Sequence, residues 1–394
     1  MRLFVALAVL VSASPALADE KAGAPTAEAE AKADEKPSWE LSGYLQPQVG
    51  MTWRPDGLPR DRFEVGAAAT AAGIEIGGQP WGDWRYDLHV IVAGESREVV
   101  TGVESVDSNG DGVPDDVSAE SELSPTLAVE RATVSYQPVP LVGAVVGQMR
   151  IPFTVQEQSP QTSLMFPRRS GPNEVFLQGP DLGALAVLTL PNEVVRASLG
   201  AFNGSGAPVG ESEERGLVYA LRADVNPLGA FPFGEGDLER GRLRIGLGAG
   251  FLYYPARVYD ASGYLGTRIR DLRASASFRL AVRGVYLQTE VLRRQRTDSL
   301  SSRPVVATGA YGQASWFLPL HAPIGLAPIA RVGYAAEDQG FDPRNTLFLE
   351  AGLTVYPHPD EPDDLKIVAQ YLGERRLTER EDAHGAVVQV QLTW

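Results

Sequence analysis

From Trp39 to Trp394 apolar and polar residues alternate with a period of two, in runs too long for most folds. In the first run Leu41, Gly43, Leu45, Pro47, Val49, Met51 and Trp53 share one face. Glu40, Ser42, Tyr44, Gln46, Gln48, Gly50 and Thr52 share the other. The pattern returns at Trp84–Val92, Leu243–Phe251, Leu347–Val355 and Leu365–Tyr371, and no comparable helical period occurs. Alternating segments of about ten residues separated by turn residues are the mark of a barrel that crosses a membrane with strands. A soluble antiparallel sandwich also alternates, and is the competing fold. Sixteen strands are expected at 39–53, 61–76, 83–95, 126–137, 142–151, 182–190, 194–204, 216–226, 241–254, 268–281, 285–297, 304–318, 325–336, 345–356, 364–376 and 386–394. The expected fold class is thus all-β, a transmembrane antiparallel β-barrel of about sixteen strands with both termini periplasmic. Long outward connections fall at 96–125 and 152–181; the connection 227–240 is long for a periplasmic turn.

The ends of the chain agree. Residues 1–18 read as a secretion signal: Arg2, an apolar Leu3–Val11 and an Ala16-Leu17-Ala18 cleavage site. Residues 19–38 are an Ala/Glu/Lys-rich tail without large apolar residues, expected to be flexible, which leaves 39–394 as the barrel. Trp39, Trp53, Trp81, Trp84, Trp316 and Trp394 all fall near strand ends, where an aromatic girdle meets the membrane interface. Val388, Val390, Leu392 and Trp394 share the outer face of the last strand, resembling the C-terminal assembly signal that the barrel-assembly machinery reads. These features predict a Gram-negative outer-membrane location, in contact with outer-membrane lipid. Absence of Cys excludes disulfides and thiol chemistry, and a net charge of −15 argues against nucleic acid as a partner.

Gly147-Gln148-Met149-Arg150-Ile151-Pro152-Phe153 resembles a segment of the phosphate-selective porin O/P family. Phe166, Arg168-Arg169-Ser170, Gly179-Pro180-Asp181-Leu182-Gly183 and Gly200-Ala201-Phe202-Asn203-Gly204 follow in that family's order. The resemblance implies a sixteen-stranded, usually trimeric diffusion porin whose third extracellular loop narrows the pore. Pro180 stands where the family often has Arg, and only four Lys face 31 Arg, so lysine-based anion capture does not carry over.

The polar faces of the strands would line the lumen. Parity turns Arg131, Arg150, Arg196, Arg222, Arg273, Arg279, Arg331 and Lys366 inward, and loop 152–181 adds Arg168 and Arg169. Arg keeps its charge at all relevant pH and offers a fork that fits phosphate or carboxylate. Small polar solutes, with anions favoured, are the expected cargo. Cross-strand pairing of the same Arg with inward Asp and Glu is the alternative. Loop 152–181, with Phe166 and Phe176, is expected to fold against the inner wall and narrow the passage, its arginines facing the opening.

In the outer loop 96–125, Asp107, Asn109, Asp111, Val113 and Asp115 follow D-x-N-x-D-G-x-x-D. Alternate oxygens, a sharp-turn Gly112 and a carbonyl at Val113 suit Ca²⁺. An ordinary acidic turn is the alternative. No other cofactor is required. There is no H-E-x-x-H, nucleophile elbow or P-loop, and the Asp87/His89 neighbours are a weak hydrolase signal. The chain is therefore read as a non-enzyme: a homotrimeric porin, with a closed structural or adhesion barrel as the second reading and a hydrolase as the third.

Overall fold

The computed structural model describes residues 38–55, 63–95, 104–106, 116–118, 124–204, 214–259, 265–299, 303–320, 324–338, 343–358, 361–362, 364–378 and 381–394. The signal segment, most of the Ala/Glu tail and the candidate calcium ligands lie outside these residues.

Sixteen barrel strands follow in chain order: β1 Ser38–Trp53, β2 Phe63–Trp81, β3 Trp84–Glu95, β4 Ser124–Val139, β5 Val142–Arg150, β6 Pro180–Thr189, β7 Val195–Phe202 and β8 Val218–Val225, then β9 Arg244–Tyr259, β10 Leu265–Val282, β11 Val285–Asp298, β12 Val305–Trp316, β13 Gly325–Asp338, β14 Pro343–Tyr356, β15 Leu365–Arg376 and β16 Glu381–Thr393. Each pairs antiparallel with the next. β16 returns to β1, from Tyr44 opposite Thr393 to Trp53 opposite His384, so the sheet is closed and has no free edge. An even number of strands puts Ser38 and Trp394 on one rim, here the terminal rim; the opposite end is the far rim.

Alternation sorts the side chains as the period demands. On neighbouring strands Leu199 is 60% exposed on the outer wall while Arg222 is 2% exposed on the inner. Exposed Trp39, Trp81, Trp84, Trp316 and Trp394 ring the terminal rim, and Trp53, Tyr334 and Tyr371 lie toward the far rim. No helix among the described residues is long and apolar enough to cross a membrane.

Several strand ends differ from the sequence reading: β9 runs on to Tyr259 and β16 starts at Glu381, and three further differences bear on the interior and the loops. β2 runs on to Trp81, because Gly77 and Gly78 stay in the ladder instead of turning. Glu104–Val106 and Asp116–Ser118 form a short hairpin inside the long 96–125 connection. A bulge between His89 and Val90 leaves Glu130 without a register partner, which buries that carboxylate beside His89.

The core of the molecule lies inside the barrel. Residues 151–179 carry two short helices, α1 Val155–Gln158 and α2 Gly171–Phe176, and turn into the lumen instead of leaving at the far rim. Ile151, Phe153 and Phe176 join Phe202, Leu252, Leu292 and other inward residues in one apolar cluster. From the other end, 226–243 also turns inward. Its Phe231 meets the Tyr286 ring edge-on and belongs to one apolar cluster with Met165 and Phe166 of the first segment and Ile329 and Val368 of the wall. Burial of these rings from water drives both segments inside.

Candidate functional site

The wall is shaped to receive the inner segment. A Cβ on Gly309 would lie 2.9 Å from the Phe176 ring, and one on Gly333 2.8 Å from Pro172. A Cβ on Gly250 would collide with the carbonyl oxygen of Phe153. These inward glycines are not open space, as parity alone suggests; the segment 151–179 fills the hollows they leave.

Inside the segment, local chemistry sets the shape. Thr154 and Glu157 form a reciprocal cap at the start of α1, at 3.0 and 3.2 Å. Ser170 caps α2 by accepting from the Asn173 N–H at 3.3 Å. Arg169 ties the middle together. Its Nε donates to the carbonyl of Gln156 at 2.9 Å, Nη1 to Gln161 Oε1 at 3.0 Å and Nη2 to the carbonyl of Ser159 at 3.1 Å. Arg169 therefore braces the segment and does not face the passage, whereas Arg168 is exposed.

The inward cations grip this segment from the wall. Arg222 Nη1 donates to the Phe153 carbonyl at 2.9 Å, and its other nitrogens clamp Asp224 at 2.6 and 2.9 Å. Arg273 Nη1 donates to the Phe176 carbonyl at 2.7 Å, while Asp271 takes Arg273 Nη2 at 2.9 Å and Arg294 Nη2 at 2.7 Å. Arg331 bridges Glu350 (2.5 and 2.8 Å) and the Arg168 carbonyl (3.1 Å) and lies over the Phe166 ring. Lys366 Nζ donates to the carbonyls of Thr162 and Leu164 at 2.6 and 2.8 Å. Arg279 holds the second inner segment through the carbonyls of Phe231 and Pro232 at 3.2 and 2.5 Å. A hydrogen bond to a charged group contributes roughly 1.5–3 kcal/mol, more than a neutral one, and these bonds add to the apolar burial that holds the segment inside.

Glu290, which parity turns inward, and Glu235, Asp237 and Gln156, which the sequence reading missed, complete the site. Glu235 of the second segment accepts from the Met165 N–H at 2.9 Å and from Gln156 Nε2 at 2.8 Å, which joins the two segments at mid-lumen. Glu290 accepts from the Val155 N–H at 3.0 Å and from Tyr311 at 3.0 Å. Asp237 accepts from the Gly284 N–H at 2.7 Å and pairs with Arg244 at 2.5 Å, pinning the second segment to the terminal rim. The unusual length of 227–240 and its Phe231-Pro232-Phe233 run were the only sequence signals for this second insertion.

Across the lumen β1 to β4 keep a polar face. Tyr44, Gln46, Gln48, Glu75, His89 and Thr133 are all buried there. Asp87 pairs with Arg131 at 3.0 Å instead of His89, and Glu130 ion-pairs with Arg150 and lies 3.1 Å from His89 Nδ1. The Asp87/His89 neighbours thus do not make a catalytic dyad. Arg196 is exposed toward the terminal rim, over Phe233. Burial pushes the carboxyls of Glu157 and Glu174 above the usual carboxylate range; N–H donors at Glu157 and Arg168 near Glu174 oppose the shift.

Val388, Val390, Leu392 and Trp394 line the outer face of β16, at the closing seam. Asp107, Asn109, Asp111, Val113 and Asp115 lie outside the described residues, but the hairpin around them sets Val106 opposite Asp116 and so brings the ends of that loop together. No cluster of three or more metal-type ligands occurs among the described residues.

No protein-family model and no curated protein matches this chain. Solved structures do match in fold. The outer membrane channel DcaP of Acinetobacter baumannii aligns at TM-score 0.58 and 10% identity, over 91% of this chain and 98% of that one. OmpF of Salmonella typhi aligns at 0.57 and 12%, over 90% and 97%. The anion-selective porin from Comamonas acidovorans aligns at 0.54 and 11%, over 91% and 100%. Identities this low establish a shared outer-membrane barrel fold.

Proposed function

We propose that this chain is a porin of a Gram-negative outer membrane, through which small polar solutes diffuse passively past the constriction made by 151–179 and 226–243. The observation that carries the reading is the asymmetric lumen. The inner segment is fastened to the wall of β8 to β16 by Arg222, Arg273, Arg331 and Lys366, and faces a polar wall on β1 to β4. That arrangement narrows the barrel. The likeness in fold to barrels described as porins and channels supports it. No catalytic step belongs to this reading.

Its finer form is an anion preference, phosphate included, as the resemblance around Gly147–Phe153 implies. Backbone carbonyls satisfy the N–H groups of Arg279 without cancelling its charge, and Arg168 and Arg196 are exposed. Export through the 1–18 signal, assembly through Val388, Val390, Leu392 and Trp394, a homotrimer and Ca²⁺ at Asp107–Asp115 complete the proposal. The far rim is then the extracellular one. A closed structural barrel is the second reading, favoured by the near-total burial of Tyr44, Arg222, Arg279 and Glu290 at mid-lumen. Reversal potential in a planar bilayer under a KCl gradient separates them. An anion-selective sign supports the finer reading, and a cation-selective sign removes it. Absence of conductance steps moves the assignment to the closed barrel.

A further inference from the structure

The outer wall near the far rim carries a basic patch that the lumen does not use. Arg257 on β9 and Arg268 and Arg270 on β10 are all exposed. They share the outward face with Phe251 and Leu272, which are exposed and apolar. Arg257 stands directly opposite Arg268 in the register, and Arg270 opposite Pro255. Both pairs lie beyond Tyr253 and Leu272 toward the far rim.

Like charges at directly opposed positions of an antiparallel pair repel. A carboxylate between them would relieve this, but the outward positions of β8 to β11 with described side chains hold none; Arg293 adds a fourth exposed cation on β11. On a wall facing acyl chains, charge is costly at mid-bilayer and tolerated toward headgroup level, and these Arg positions lie near the far-rim ends of β9 and β10. Three guanidinium forks toward that end of the wall, with no carboxylate at the outward positions whose side chains are described, fit the oxygens of a phosphate monoester.

We propose that Arg257, Arg268 and Arg270 bind the phosphate of a phosphorylated glycolipid in the outer leaflet. The proposal rests on the membrane reading above, in which the far rim is extracellular. The lipid would neutralise the opposed pair and fix the depth and tilt of the β9–β10 wall.

The test is native mass spectrometry and thermal shift on the refolded full barrel, with bisphosphorylated lipid A as the probe. The wild type should retain lipid A and gain thermal stability from it. The variant Arg257→Gln/Arg268→Gln/Arg270→Gln, which leaves the lumen untouched, should bind at least tenfold more weakly. Dephosphorylated lipid A and phosphatidylglycerol should bind no better than that variant. Equal retention by variant and wild type would overturn the proposal, as would equal binding of either control lipid. Stabilisation by inorganic phosphate alone would replace the lipid with a free anion and overturn it too. Liposome insertion of the wild type is measured in parallel. Failure to insert would overturn the membrane reading and this proposal together; insertion without lipid A preference overturns this proposal alone.

Discussion

Gly43 and Trp394 close the barrel by exchanging both backbone hydrogen bonds at 3.0 Å, and the indole lies over the glycine so closely that a Cβ there would sit 2.6 Å from the ring. The seam therefore needs the glycine on β1 as much as the terminal aromatic. Gly43→Leu should cost roughly 1–3 kcal/mol through overpacking and lower the fraction of refolded protein that shows heat-modifiable gel migration. Adding Trp394→Ala should restore only part of it, because the same Cβ would also lie 2.9 Å from the carbonyl oxygen of Gly73. An unchanged folded fraction in Gly43→Leu would refute the seam argument.

Arg331 holds the inner segment and a wall carboxylate at once. Arg331→Ala removes the grip on the carbonyls of Arg168 and Arg169 and strands Glu350, at a cost of about 3–5 kcal/mol for breaking a buried pair. The expected result is faster trypsin cleavage after Arg168 or Arg169 and a larger single-channel conductance. Arg331→Met with Glu350→Gln should retain more of the stability yet still loosen the segment. Cleavage and conductance at wild-type levels would mean that the segment is held elsewhere.

Glu157 makes docking of the segment depend on pH. Burial raises its carboxyl above the usual range, so the docked form holds the proton more tightly than the undocked form. This contribution is complete below the ordinary carboxylate pKa and is lost as pH rises through the raised value. Conductance should therefore rise from acid toward neutral pH, and Glu157→Gln should flatten the profile. The opposite slope would show that other groups govern docking.

Charge selectivity should follow the exposed cations, not the buried ones. Arg168→Gln with Arg196→Gln should move the reversal potential toward the cation side by several millivolts under a tenfold KCl gradient. A potential that does not move would assign selectivity to other lumenal charges.

Calcium at the 107–115 turn predicts a calorimetric binding heat in the wild type. That heat should vanish in Asp111→Ala. Equal heats in both proteins would leave the turn an ordinary one.

Much of this was legible in the residues. The sixteen strands, their inward and outward faces, the Trp positions and the intrusion of the segment after β5 all follow from period-two alternation and bulky apolar residues in a long connection. Arg131, Arg222, Arg273, Arg279, Arg331 and Lys366 were placed inward by counting alone. Their acid partners Asp87, Asp224, Asp271 and Glu350 also fall on the inward face by parity, but the loop carbonyls these cations hold were not foreseen. Lys366 meets Leu164 across 202 positions, and Arg331 meets Arg168 across 163. Glu130 escaped because a bulge shifts parity, and Glu235 because a long connection on the terminal rim gives no sign of which way it turns.

The division has a physical cause. Alternation is a local property of an extended chain next to two different solvents, so the sequence by itself determined the strands, the two faces and the aromatic ends. What a buried guanidinium binds depends on which backbone is brought within about 3 Å when the sheet closes. Only the closed ring decided that the lumenal arginines hold carbonyls of two inserted segments instead of standing bare in the passage, and only its register set Arg257 against Arg268 on the outer wall.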